Sequence, residues 1–251
     1  IGTGNAANSA RKTIDLVITA PTSVLPGADG AMAMYGEDPE VKLRTGLGGG
    51  YNVDGHDYPL PADLACTGAA CRTASLATGA RPGLYSVETP EITGSLTHLG
   101  GTPPNVVGGT SLHTNEDWNN FVNYILANHL YVEDVMGTRA QPLVTLVPNG
   151  SMLGGNMDGA GIIIVDSGGA IDVRGTGHFE GLVILRGTGT FFGTGTGSIF
   201  GSTITIEHDE KTADLTGTVD ILYSGTALDN LKKIGGLRAI TLTSWKDTSL
   251  Q

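Results

Sequence analysis

An all-β, single-domain β-solenoid, similar to a right-handed β-helix, with coils of about 20 residues and one amphipathic α-helix packed on it, follows from three features of the sequence. The first is a repeat. Gly161-Ile-Ile-Ile-Val-Asp166 returns as Gly181-Leu-Val-Ile-Leu-Arg186, and Gly175-Thr-Gly-His-Phe-Glu-Gly181 returns as Gly195-Thr-Gly-Ser-Ile-Phe-Gly201, at an offset of 20 in both cases. The second is glycine, at 39 of 251 residues without collagen's three-residue period, which calls for many tight corners between ordered apolar runs. The third is a single strongly amphipathic stretch at about residues 115–129.

Stacked coils turn sequence spacing into columns of residues roughly 4.8 Å apart. Ile164, Ile184 and Ile204 are expected to form one apolar column, with Phe179 over Ile199. Gly161, Gly181 and Gly201 share a corner, as do Gly175 with Gly195 and Gly177 with Gly197. Along the chain, residues 1–11 are a small and polar entry. Thr13 to Thr19 alternates Ile14, Leu16 and Ile18 against smaller or polar neighbours, as a half-buried strand does. With Ala31 to Tyr35, Val41 to Thr45 and Tyr51 to Gly55 it makes irregular early coils over about 13–55. Residues 56–113, rich in Pro and Gly and holding both cysteines, read as an insertion or lid.

Thr114 with Asp117 three residues later forms a capping box at the helix start. Trp118, Phe121, Val122, Ile125 and Leu126 then form its apolar stripe, which packing in a core explains. Ile162 to Val165 and Leu182 to Leu185 are apolar on both strand faces, so this helix is expected to cover their outer side. Thr203 and Thr205 in the third repeat imply that the helix stops short of it. Regular coils span about 143–223, and 224–251 form a C-terminal cap with a short helix near Ala227 to Lys233 and a last strand near Ile240 to Thr243.

The net charge of −11 and a pI of about 4.8 oppose binding to nucleic acid or anionic membranes, so neither is expected as a partner. No apolar run of about 20 residues is present, so no membrane contact by this chain is expected. The opening Ile1-Gly-Thr-Gly-Asn5 has no leader pattern, so an exported form is expected to be a mature or trimmed chain. Cys66 and Cys71 bracket Thr-Gly-Ala-Ala. That spacing suits a disulfide closing a small loop in an oxidising, extracytoplasmic compartment, with two reduced, buried thiols as the alternative.

Ala31-Met-Ala-Met-Tyr-Gly36, Tyr51-Asn-Val-Asp-Gly-His-Asp57, the cysteine loop, the Trp118 helix, Gly159 to Val165, Phe179 to Leu185 and Ile199-Phe-Gly201 together resemble the extracytoplasmic region of bacterial PilX-type pilus assembly proteins, over most of residues 28–225. The resemblance implies a type IV pilin-like protein at the pilus or outer cell surface, structural or adhesive, with no catalytic residues to carry over. The hydrophobic N-terminal helix with which members of that family begin is missing from this sequence. Other pilin-like subunits or copies of this chain are the expected partners, with surface glycans as a further class.

The competing reading is a carbohydrate-active β-helix enzyme, a polysaccharide lyase or hydrolase, with a glycan-binding surface module between the two. Asp158, His178 and Ser198, spaced at 20, invite a hydrolase relay, but a polar ladder gives the same pattern. The acids open to a lyase or hydrolase are Asp158, Asp166, Asp172 and Glu180, and none of them recurs at 20. Asp166 and Arg186 do stack, as an ion pair between coils. Asp54 and Asp57 are weak calcium candidates, since two carboxylates fall short of the six to eight oxygens that calcium takes. No catalytic residue, firm metal site or cofactor is expected. Self-association is expected through the Ile14 to Ile18 strand, which has no flanking charge run, and not through the regular repeats.

Overall fold

The computed structural model of the chain describes residues 14–18, 22–23, 25–37, 39–43, 52–64, 66, 74–76, 79–111, 113–207, 211–215, 217–239 and 242–247. In chain order the first strands are β1 (Ile14–Ile18), β2 (Thr22–Ser23), β3 (Met32–Met34), β4 (Glu40–Leu43), β5 (Asn52–Asp54), β6 (Leu84–Ser86), β7 (Glu91–Gly94), β8 (Leu99–Gly100) and β9 (Asn105–Val107). Helix α1 (Asn115–Ala127) follows. Next come β10 (Val132–Glu133), β11 (Leu143–Val147), β12 (Met152–Gly155), β13 (Gly159–Val165), β14 (Ala170–Val173), β15 (His178–Arg186), β16 (Thr190–Gly193), β17 (Ser198–Ile206), β18 (Lys211–Leu215) and β19 (Asp220–Tyr223). Helix α2 (Gly225–Asn230), a 3-10 turn at Leu231–Lys233, β20 (Arg238–Ala239) and β21 (Leu242–Asp247) close the described chain.

The strands form two parallel sheets, of eleven and six strands, and two antiparallel ribbons, β1 with β21 and β2 with β20. The larger sheet runs β10-β11-β13-β15-β17-β19-β5-β8, with β3, β6 and β9 continuing from β17. The smaller runs β12-β14-β16-β18-β4-β7.

This corrects the all-β β-solenoid with one packed helix. The chain is mostly β in two parallel sheets, and it carries two short helices. A repeat of fixed length stacked in chain order is overturned by the pairing itself. Leu143 pairs with Gly161, 18 residues on, Gly161 with Gly181, 20 on, and Ser198 with Asp220, 22 on. Beyond β19 and β18 the neighbours are β5 and β4 from the start of the chain. The nine residues of β17 serve two strands, Ser198 to Gly201 pairing with β19 and Thr203 to Thr205 with β3. The physical reason is that the C-terminal strands leave open main-chain edges, and the N-terminal strands supply the missing hydrogen bonds.

Residues read as an insertion do the same work. Strands β6, β7, β8 and β9 all lie within 84–107 and extend both sheets. The main apolar core among the described residues, including Ile164, Ile184, Ile204, Phe179 and Ile199, fills the interior, and Phe200 and Leu222 form a second, smaller cluster. Ile164, Ile184 and Ile204 are register partners, and so are Phe179 and Ile199. Gly161, Gly181 and Gly201 also align, each with φ between +141° and +144°. A Cβ on Gly181 would overlap the carbonyl oxygen of Gly161, and one on Gly201 that of Gly181. Only glycine fits this column, on both steric and dihedral grounds.

Helix α1 carries its capping box, with Asp117 N donating to Thr114 Oγ1 and Thr114 N to Asp117 Oδ2. Trp118, Phe121, Val122 and Ile125 are buried, and Leu126 packs partly buried on the same core. The cover over the large sheet is shared, because α1 reaches β17 while α2 lies on β15 and β17. The expectation that the single helix stops before the third repeat is thereby revised. Thr203 and Thr205 are fully buried, and among the described residues their hydroxyls have no hydrogen-bond partner.

Candidate functional site

Among the described residues, a line of ionisable groups runs from a loop into the large sheet. His178 and Glu180 alternate with Phe179 along β15, so both side chains point to the face opposite the apolar column. Glu180, 1% exposed, accepts from Arg139 Nε at 2.8 Å and from a second guanidinium nitrogen, a bidentate pairing. The same guanidinium donates to the carbonyls of Pro61 and Ala62, at 2.8 and 3.2 Å. His178 Nε2 lies 3.0 Å from Glu180 Oε1, and Nδ1 lies 2.9 Å from Cys66 Sγ. Phe200, the register partner of Glu180, sets its ring 5.0 Å from the imidazole.

Burial pushes the Glu180 carboxyl up, but the Arg139 hydrogen bonds, with the His178 contact, outweigh it and hold the group below the ordinary carboxylate range. The Glu180 hydrogen bond correspondingly raises Arg139. The line therefore fastens Pro61, Ala62 and Cys66 and the turn around Arg139 to β15. Sequence spacing singled out Glu180 and His178 but not Arg139, which sits in an irregular connection with no periodic signal.

The Asp158, His178 and Ser198 ladder does not assemble as a relay. Asp158 Oδ1 accepts from the main-chain N–H of His178 at 3.0 Å, while the imidazole turns to Glu180 and Cys66. Ser198 is buried beside His178 as its register partner. Asp166 Oδ1 meets Arg186 at 3.6 Å, and Arg186 also reaches Glu207 at 2.9 Å. Asp172, 3% exposed, accepts from Arg174 Nε at 2.5 Å and from Thr194 Oγ1 at 3.0 Å.

Asp54 accepts from His56 N and Tyr58 OH, and Asp57 from Gly225 N, so protein donors already occupy both calcium candidates. Among the described residues no group of three or more His, Cys, Asp or Glu is placed to hold a metal ion. Cys71 lies outside the described residues, and its pairing with Cys66 lies outside them too.

Two further features were not legible in the sequence. Tyr35 OH donates to Asp29 at 2.6 Å and Ser111 Oγ donates to the same oxygen, beside Trp118. Burial first, and then Asp29, push the Tyr35 phenol far above its ordinary value. A cleft of about 320 Å³ lies where α1, α2 and the large sheet meet, with Trp118, Leu182 and Tyr223 against Arg81 and Lys232. Lys232 is paired with Asp229 at 2.5 Å. Among the described residues, no helix is long and apolar enough to cross a membrane. Comparison with family models, curated proteins and solved structures returned no match.

Proposed function

We propose that this chain is a structural or adhesive component of an extracellular or cell-surface assembly, pilus-assembly or minor-pilin-like in role. On this reading it acts through its surfaces, with other pilin-like subunits or its own copies as partners and surface glycans as a target class. The observation that carries the reading is how the ionisable groups along the sheets are used. The buried Glu180, His178 and Asp172, with the half-buried Arg139 and the exposed Asp158, each bond strand or loop groups of their own chain, which stiffens the sheets. Paired buried charges of this kind hold one geometry because separating them leaves a charge uncompensated, at a cost of about 3–5 kcal/mol.

The test is topological and chemical together. In cells producing the protein, externally added protease and antibody are expected to reach it while a cytoplasmic marker stays protected. Purified chain is expected to bind cell-surface fractions without releasing reducing or unsaturated sugar ends from a panel of acidic and neutral polysaccharides. Protection from external protease, or turnover abolished in an Asp158→Asn or Asp172→Asn variant, would overturn the proposal in favour of an intracellular role or of a polysaccharide-active enzyme.

A further inference from the structure

Both sheets end, among the described residues, in open parallel edges, and the ends match. The six-stranded sheet stops at β12 on one side and β7 on the other, each of four residues. In the eleven-stranded sheet the register carries β10, of two residues, through β11, β13, β15, the far half of β17, β3 and β6 to β9, of three residues, while β8 ends the branch through β19 and β5. Every pairing between them in both sheets is parallel, so the strands at the two ends point the same way.

The unpaired groups can be assigned. Ala170 N donates to Ser151 O, so Ser151, Leu153 and Gly155 face β14, and Met152 and Gly154 turn their N–H and C=O outward. At the other end Glu91 N donates to Pro39 O and Ser95 N to Leu43 O, which leaves Ile92 and Gly94 facing outward. Exposed large apolar side chains gather at the same places. Val132, Val135 and Met152 lie at the β10–β12 end, and Val87, Leu96 and Val107 at the β7–β9 end.

We propose that the β12 end of one copy docks on the β7 end of the next, so that both parallel sheets continue from copy to copy. This rests on the reading of the chain as an assembly component. A second copy is the occupant that the geometry selects, because one translation along the stack brings β12 against β7, equal in length, and β10 against β9, two residues against three, with strand direction matched in both sheets at once. Each joint satisfies outward main-chain groups and covers an apolar rim. The contact is heterologous: it uses a different surface on each partner and leaves one end of each kind free, so growth is not limited to a dimer. Glu133 and Asp134 at one end and Glu88 and Glu91 at the other are exposed and of like charge. They repel across the joint, so association strengthens as salt screens them.

The experiment is sedimentation velocity on the full chain over a range of concentration and ionic strength, with one variant for each end. Met152→Asp with Val135→Asp blocks the first end, and Val87→Asp with Leu96→Asp blocks the second. Wild-type protein is expected to form a ladder of species beyond the dimer that grows with salt. Each variant alone is expected to show at least a tenfold weaker association, with an unchanged far-ultraviolet spectrum. Mixed together, the two variants retain one good end each and are expected to form a dimer that grows no further. Wild-type protein that stays monomeric, an assembly that stops at the dimer, variants that assemble like wild type, or a mixture that stays monomeric would each sink the stacking model. The surface reading is judged separately, by protease access on intact cells.

Discussion

Gly181 occupies a position that no other residue can share. Its φ of +141° and the carbonyl of Gly161 below it together exclude a Cβ. Gly181→Ala is expected to destabilise the fold by about 2–4 kcal/mol, read from urea unfolding, whereas Gly150→Ala, with open space around it, is expected to cost about 1 kcal/mol from its positive φ alone. Equal losses at the two sites would refute the packing argument. Glu180 supplies a pH test. Its carboxyl is held below the ordinary value of about 4.5, so its contribution to stability is fully present above that pH and is lost as pH falls through the lower folded value. Melting temperature is expected to drop more steeply on acidification below about pH 4.5 in wild type than in Glu180→Gln. Arg139→Met, which strands the carboxylate, is expected to cost about 3–5 kcal/mol at neutral pH.

At the scale of elements, α1 is held by its cap and by one buried stripe. Trp118 is completely buried, lying 5.9 Å from the Tyr35 ring and 6.2 Å from Phe121, and it lines the cleft beside α2. Truncating such a side chain removes both transfer free energy and packing, so Trp118→Ala is expected to cost about 3–5 kcal/mol. Thr114→Ala, which removes only the cap, is expected to cost about 1 kcal/mol. Hydrogen exchange distinguishes the two variants: Thr114→Ala should loosen amides in the first turn of α1, and Trp118→Ala should expose amides of β17 as well. Protection of β17 unchanged by Trp118→Ala would mean that the helix is not part of the same cooperative unit.

For the whole molecule, the decisive feature is that the start of the chain completes sheets begun near its end. Asn52 Nδ2 donates to Asp220 Oδ1 at 2.6 Å across a separation of 168 residues, and β3, β4 and β5 line the edges of β17, β18 and β19. Contacts so distant in sequence make folding slow, on the order of milliseconds to seconds or longer. Deleting residues 1–60 uncovers the parallel edges of β17, β18 and β19 and those of β6, β7 and β8 at once. The shortened chain is expected to aggregate or to lose its single sharp unfolding transition, judged by light scattering and calorimetry. A monomer melting at the wild-type temperature would show the N-terminal strands to be dispensable. The Ile14–Ile18 strand, expected from the sequence to be an open edge for self-association, is paired on one side with β21.

What the sequence determined alone is what local spacing encodes. A glycine that must repeat wherever main chains come into contact leaves a period, and so do aliphatic residues stacked in the same column. The neighbours Gly161, Gly181 and Gly201 follow from that arithmetic, as does the helix start at Thr114, where cap and acidic partner lie three residues apart. The tertiary structure decided what has no period. Edge strands are satisfied by whichever parallel strand reaches them, so nothing in residues 32–54 announces that they pair with 203–222. The join of β3 to the far half of β17 and the split into sheets of eleven and six strands follow from that closure, whereas the short helix expected near Ala227 to Lys233 is found there as α2 and the turn after it. The Arg139, Glu180, His178 and Cys66 line is of the same kind, because an ion pair across 41 residues and a sulfur–imidazole contact across 112 are single contacts, set by the fold and without a period.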